Sequence, residues 1–235
     1  MAKLIIALDL PTAEAAFQVV DELGDAASFY KVGSPLFTLV GPDFVRALRA
    51  RGKDVFLDLK FHDIPSTVAR AVESAARLDV QLLTLHASGG AAMMRAGVDA
   101  AGPDGPRLLG VTILTSFTPA EVEAVWAKEV RSLRDEVARL AAIAAEAGLH
   151  GVVTSPLEAE ALRRRHGGDF LIVTPGIRTE SDAAGDQART ASPAGARRAG
   201  ADYLVVGRPI TGADDRRAAL DAIVADLDAV PQAAG

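Results

Sequence analysis

Short apolar runs recur along the chain: Leu4–Leu8, Ser28–Val32, Val55–Leu59, Val80–Leu85, Leu108–Leu114, Gly151–Thr154, Phe170–Thr174 and Tyr203–Val206. Within them the apolar positions are continuous rather than alternating. That is the pattern of strands covered on both faces in a parallel sheet. Between the runs the spacing becomes helical. Phe17, Val20 and Leu23 form one stripe, opened by Pro11 and stopped by Gly24. Val68, Val72 and Ala75 form another behind Pro65, and Leu133, Val137, Leu140 and Ala144 a third, ended by Gly148. Leu220, Ile223 and Leu227 form the last, before Pro231.

Strands alternating with helices predict parallel βαβ units. Eight units in 235 residues leave about 29 residues each, close to the size of one βαβ motif. The expected architecture is therefore α/β, a single (β/α)8 TIM barrel over residues 1–235, because eight units fill the length better than a doubly wound sheet would. There is no linker or low-complexity segment, and the units are not obviously similar in sequence.

Composition narrows the chemistry. Hydrophobic residues make up 49% of the chain, enough for a large core, and the net charge is −6. That balance supplies no global field for nucleic acid or an acidic membrane, although a local basic pocket remains compatible with it. Cysteine is absent, which removes disulfides, thiolate metal sites and a cysteine nucleophile. Four histidines leave little for a histidine-rich metal site. The apolar run at the start ends at Asp9 and Pro11, too soon for a signal peptide. No run approaches the roughly 20 residues of a membrane span. The expectation is a cytoplasmic protein without nucleic-acid or membrane partners.

In a barrel of this kind the functional groups stand at the carboxyl ends of the strands. Those ends carry Asp9; Lys31 with Gly33 and Ser34; Asp58 and Lys60; His86 with Ser88, Gly89 and Gly90; Thr115 and Ser116; Pro175 to Arg178; and Gly207 with Arg208. Polar groups from most strands thus converge on one mouth. Asp58 and Lys60 are two apart and point to one side of their strand, with Leu57 and Leu59 on the other. A single Asp–Lys pair would be read as a structural ion pair. Two lysines, Lys31 and Lys60, with two aspartates, Asp58 and Asp63, favour a functional array whose alternating charges keep the lysines protonated. His62 is read as an ordinary polar contact directed away from the mouth.

The run Val205-Val206-Gly207-Arg208-Pro209-Ile210 takes a strand through a glycine into a basic residue. Glycine lets a ligand approach the backbone, and an arginine grips an anion with two parallel bonds. A phosphate is the expected occupant at this place in a barrel. The preceding loop, 178–190, adds Arg178, Gln187 and Arg189, and its small residues suit a lid.

These residues carry a family resemblance. Asp58-Leu59-Lys60-Phe61-His62-Asp63-Ile64-Pro65 resembles the signature of the orotidine 5'-monophosphate decarboxylases, in their bacterial form. Ala7–Asp9, Lys31–Gly33, Val111–Ser116, Pro175–Arg178, Gly185–Gln187 and Val205–Ile210 resemble that family in order and spacing along nearly the whole chain. The resemblance implies the conversion of orotidine 5'-phosphate to UMP. It makes Lys60 the proton donor, with Lys31, Asp58 and Asp63 completing the charged array. Asp9 corresponds to a ribose contact, Thr115 to a reader of the pyrimidine edge, and Gln187, Gly207 and Arg208 to the phosphate grip, with Arg178 beside them. Asp63 and Thr67 correspond to residues that reach the other subunit's site, which implies a homodimer. The pattern departs at Ala188, where many relatives carry a lysine, and leaves the contribution of Arg189 open.

Loss of CO2 from C6 of orotate leaves an in-plane carbanion that the ring cannot delocalise. Many decarboxylases use an electron sink for such charge. No cofactor and no metal are expected here; a fixed ammonium, Lys60, would meet the charge instead. Two other readings share the frame. Magnesium-dependent keto-gulonate-phosphate decarboxylases and hexulose-phosphate synthases have a metal-binding glutamate where Lys31 stands, and a lysine there opposes a divalent cation. A noncatalytic phosphate-ligand barrel would be expected to lack part of the array.

Overall fold

The computed structural model describes residues 2–178 and 189–230. Eight parallel strands close into a barrel in chain order: β1 (Lys3–Ala7), β2 (Phe29–Gly33), β3 (Asp54–Phe61), β4 (Leu82–His86), β5 (Arg107–Val111), β6 (Gly151–Val153), β7 (Leu171–Thr174) and β8 (Tyr203–Val206), with β8 returning to β1. The fold is the (β/α)8 TIM barrel expected from the apolar runs.

The helices are α1 (Ala13–Leu23), α2 (Ser34–Val40), α3 (Pro42–Ala50), α4 (Pro65–Ala76), α5 (Gly90–Ala101), α6 (Pro119–Trp126), α7 (Leu133–Glu146), α8 (Pro156–His166), α9 (Pro193–Arg198), α10 (Arg208–Thr211) and α11 (Arg216–Asp228). Proline opens α3, α4, α6, α8 and α9. Its fixed φ suits a first turn, where its missing N–H is not needed. The first helix differs from the expected start at Pro11: the Thr12 hydroxyl accepts the Ala15 N–H at 3.2 Å and caps the helix, leaving Pro11 outside it. Among the described residues no helix is long and apolar enough to cross a membrane.

The strand pleat sorts side chains into two cores. Ile5, Phe29, Phe56, Leu82, Leu109, Leu171, Val173 and Val205 fill the barrel interior. Their neighbours Ile6, Tyr30, Leu57, Leu83, Leu108, Ile172 and Leu204 pack outward in the layer beneath the helices. Burying each large apolar side chain contributes about 1.5–3 kcal/mol, so both layers are needed to close the barrel. Along the inward face the apolar residues give way to Lys31, Asp58 and Thr84 toward the carboxyl ends. The floor of the mouth is therefore apolar and its wall charged.

Two strand ends depart from the simple pattern. The fifth strand was expected to run to Leu114 but ends at Val111. Its neighbour β6 has only three residues, so ladder partners run out once Thr112 has donated its N–H and hydroxyl to Val153 O. Thr115 consequently stands on a loop. In β3 the register on β4 is Leu57↔Leu83 but Phe61↔Leu85, so β3 bulges between these anchors. Lys60 lies in the bulge with φ +51.

Candidate active site

A cavity of about 440 Å³ opens at the carboxyl ends of the strands. Asp9, Lys31, Asp58, Lys60, Thr115, Arg178, Gly207 and Arg208 all line it. The structure thus brings together eight of the residues singled out from sequence. Gln187 lies outside the described residues. Asp63, on the β3–α4 turn, and Thr67, in α4, do not line this cavity. The Asp63 carboxylate is exposed and accepts the N–H of Ile64 at 2.6 Å, and Thr67 is half-buried in the first turn of α4.

The charged groups form an alternating chain. Lys31 Nζ lies 2.7 Å from Asp9 Oδ1 and 3.8 Å from Asp58 Oδ2. Lys60 Nζ donates to both oxygens of Asp58 at 2.8 Å. Within one chain the fourth member of the array is therefore Asp9, where the sequence pattern pointed to Asp63. Asp58 and Lys31 are the sequestered pair, with side chains 12% and 10% exposed. A buried carboxylate is costly unless paired and hydrogen-bonded, and Asp58 has two ammonium neighbours and a hydroxyl donor.

The geometry of Lys60 does not follow from the pleat alone. A positive φ at a non-glycine residue costs of order 1–3 kcal/mol and persists only where its surroundings hold it. Thr84 does this. Its Oγ1 accepts the Lys60 N–H at 2.9 Å and donates to Asp58 Oδ1 at 3.0 Å. Thr84 is fully buried and was not singled out from sequence. The available signal was a lone hydroxyl in the otherwise apolar run Leu82-Leu83-Thr84-Leu85, at an inward position.

Other groups shape the wall. A Cβ on Gly33 would lie 3.1 Å from both Asp9 Oδ1 and Lys31 Nζ, so glycine leaves room for that ion pair. His86 ends β4, with its ring 5.2 Å from that of His62. Burial, then the charges of His62 and Lys60, hold the His86 pKa below its usual value against an opposing effect of Asp58. Neither His86 nor His62, which is exposed, lines the cavity. After β7 the Arg178 N–H donates to Ala191 O at 3.0 Å, and the Ala191 N–H to Gly176 O at 3.2 Å. These bonds hold the backbone at Arg178, which lines the cavity together with Gly207 and Arg208. The result is a cavity with a charge-balanced lysine–aspartate chain at the ends of β1 to β3 and two arginines after β7 and β8. It suits a bound anion next to a reaction centre that develops negative charge.

Known proteins share this arrangement of chain. Residues 2–223 match the model of a family described as Orotidine 5'-phosphate decarboxylase / HUMPS family. The chain is 50% identical over 227 residues to the orotidine 5'-phosphate decarboxylase of Methylorubrum extorquens, covering 96% of this chain and 95% of that protein. It is 48% identical over 229 residues to the same enzyme of Actinobacillus succinogenes, covering 96% and 98%. The crystal structure of orotidine 5'-phosphate decarboxylase from Lactobacillus acidophilus superposes with a TM-score of 0.86 at 37% identity, covering 97% of this chain and all of that one.

Proposed function

The chain belongs to the orotidine 5'-phosphate decarboxylase / HUMPS family, and we propose that it is a carboxy-lyase converting orotidine 5'-phosphate to UMP in de novo pyrimidine synthesis. The observation that carries this reading is the Asp9–Lys31–Asp58–Lys60 chain in a cavity that Arg178 and Arg208 also line.

The substrate carboxylate leaves as CO2 and the electron pair of the broken C–C bond stays on C6. Lys60 faces that atom, stabilises the developing charge and then transfers a proton from Nζ to C6. Solvent restores the lysine proton after UMP departs. A charge pair about 4 Å apart interacts by about 4 kcal/mol at an effective dielectric of 20, so one fixed ammonium lowers the barrier substantially. Asp58 aims Lys60 through two equal hydrogen bonds. Lys31 neutralises the second side of Asp58 and orients Asp9 for the ribose. Thr115 reads the pyrimidine edge. Gly207, Arg208, Arg178 and Gln187 take the phosphate, whose binding energy offsets the cost of positioning the base.

Lys31 also separates this reading from a magnesium-dependent sugar-phosphate chemistry. Its ammonium occupies the space between Asp9 and Asp58 and repels a divalent cation there. The reaction so written needs no cofactor.

Asp63 and Thr67 support a homodimeric enzyme. They stand outside their own cavity, on the β3–α4 turn and the start of α4, a stretch that also exposes Ile64, 64% accessible. In this reading the turn docks on a second copy and Asp63 completes the lysine–aspartate array of that copy. The working unit is then two chains in the cytoplasm, with residues 1–235 of each forming a single barrel.

The deciding experiment adds orotidine 5'-phosphate to the purified protein in EDTA and follows the orotate absorbance. Loss of the chromophore with formation of UMP is expected. A folded protein that leaves the absorbance unchanged would overturn the reading.

A further inference from the structure

A buried guanidinium joins two loops of the cavity mouth. Arg189 Nη1 donates to Glu158 Oε1 at 2.9 Å, and Nη2 donates to Leu114 O at 3.2 Å. The side chains of Arg189 and Glu158 are 11% and 6% exposed. Glu158 lies in the first turn of α8, whose start is fixed by the Ser155 cap, so it is a firm anchor. Leu114 precedes Thr115 on the loop after β5, and both residues line the cavity. That loop has few ties of its own. Its turn is closed by the Phe117 N–H donating to Leu114 O at 2.9 Å, so the Leu114 carbonyl serves both the turn and Arg189. Two residues beyond Arg189, Ala191 is paired with Gly176 and Arg178 on the arginine side of the cavity.

Burying an ion pair contributes little net stability, because desolvation cancels much of the attraction. Here its main effect is geometric: it fixes a carbonyl that would otherwise be held by one local turn. We propose that Arg189 is a positioning residue for the base-side wall of the cavity. Anchored on Glu158, it holds the Leu114 carbonyl and so sets the placement of Thr115. The inference rests on reading the cavity as a nucleotide site. The competing assignment, direct contact of Arg189 with the phosphate, would draw on the guanidinium N–H groups that the bonds to Glu158 and Leu114 leave over.

The two assignments differ in which ligand loses affinity. UMP reaches both the base-side and the arginine walls, whereas ribose 5-phosphate has no base to meet Thr115. Dissociation constants for both ligands would be measured on wild type, Arg189→Lys and Arg189→Ala, with melting curves as a check on folding. Lysine keeps the charge opposite Glu158 but lacks the planar fork that spans two partners. UMP is expected to bind on the order of tenfold more weakly to each folded variant, with ribose 5-phosphate changed less than about twofold. If Arg189→Ala does not fold, Arg189→Lys decides. Unchanged UMP affinity in folded Arg189→Lys would overturn the proposal. So would equal weakening of the two ligands, or a larger loss for ribose 5-phosphate. Decarboxylation by the wild type is a separate measurement: its absence, together with no UMP binding, would overturn the functional reading itself and this inference with it.

Discussion

Thr84 holds Lys60 from both ends: its hydroxyl accepts the lysine's backbone N–H at 2.9 Å and donates at 3.0 Å to Asp58, the carboxylate that carries the lysine's ammonium. Thr84→Val keeps the shape and removes both bonds. It leaves the half-buried Lys60 N–H without this partner, at a cost of about 1 kcal/mol in stability. It also loosens the aim of the ammonium, and kcat should fall on the order of tenfold to a hundredfold. UMP affinity should stay near wild type, and Thr84→Ser should recover most of kcat. Steady-state kinetics with a denaturation curve for each variant tests this.

Lys60→Ala removes the ammonium and leaves Asp58 paired only with Lys31 and Thr84. Decarboxylation should drop by on the order of 10³-fold or more, the scale of a single preorganised electrostatic group. Folding and UMP binding should persist. Ordinary turnover in this variant would dismiss the proton-donor assignment.

If Asp63 serves the neighbouring subunit, two inactive proteins should rescue each other. Lys60→Ala and Asp63→Ala would be purified separately, mixed, and allowed to exchange subunits. Each mixed dimer holds one cavity with both native residues, so activity should return to about a quarter of wild type after random exchange. No gain on mixing, with exchange verified by mass, would place Asp63 in its own subunit's chemistry or outside the chemistry altogether.

Arg208→Ala should damage turnover of the nucleotide by on the order of a hundredfold or more in kcat/KM, since phosphate binding energy is spent on the reaction. The phosphate-free nucleoside orotidine, which has nothing for Arg208 to grip, should react at the same slow rate with both proteins. Equal losses on the two substrates would remove Arg208 from the phosphate grip.

Acid should destabilise the fold in the histidine range. Burial is the first cause that holds His86, His150 and His166 below their usual 6.5, reinforced by His62 and Lys60, by Arg107, and by Arg165 respectively. His150 also accepts the Leu108 N–H at Nδ1, a bond that protonation there would break. Above the unfolded pKa these rings are neutral in both states, and folding loses nothing. As the pH falls below it, the unfolded chain takes up protons first, and stability declines until the folded pKa is passed. Urea midpoints should therefore hold near neutral pH and fall from about pH 6.5 downward. A midpoint that rises on acidification through this range would contradict the assignment.

The barrel was legible because its strands are buried on both faces and read as unbroken apolar runs, such as Tyr203–Val206, which match β8 residue for residue. Strand ends were less legible where the neighbour decides them: β5 stops early because β6 is short, which the sequence of β5 does not encode. Asp9, Lys31, Asp58 and Lys60 could be found because charge at the end of an apolar run is conspicuous. Thr84 could not, since one hydroxyl in a strand is ordinary until its partners are known. The β3 bulge was hidden for another reason. Asp58 and Lys60 two residues apart satisfy the simple alternation, and the same inward direction is reached by a different backbone path. Arg189 stayed open because its partners, Leu114 and Glu158, are 75 and 31 residues away.

The bulge has an evolutionary consequence. Phe61 rejoins the ladder opposite Leu85, so the residues between Leu57 and Phe61 can change their number and direction while the eight-stranded frame keeps its register. The reactive lysine is carried on a short interruption of one strand rather than by the barrel's periodicity. An ancestor of this barrel could therefore acquire, move or discard its chemistry by small insertions and deletions at this one place. A designer can do the same, leaving the two cores and all eight strand pairings as they are.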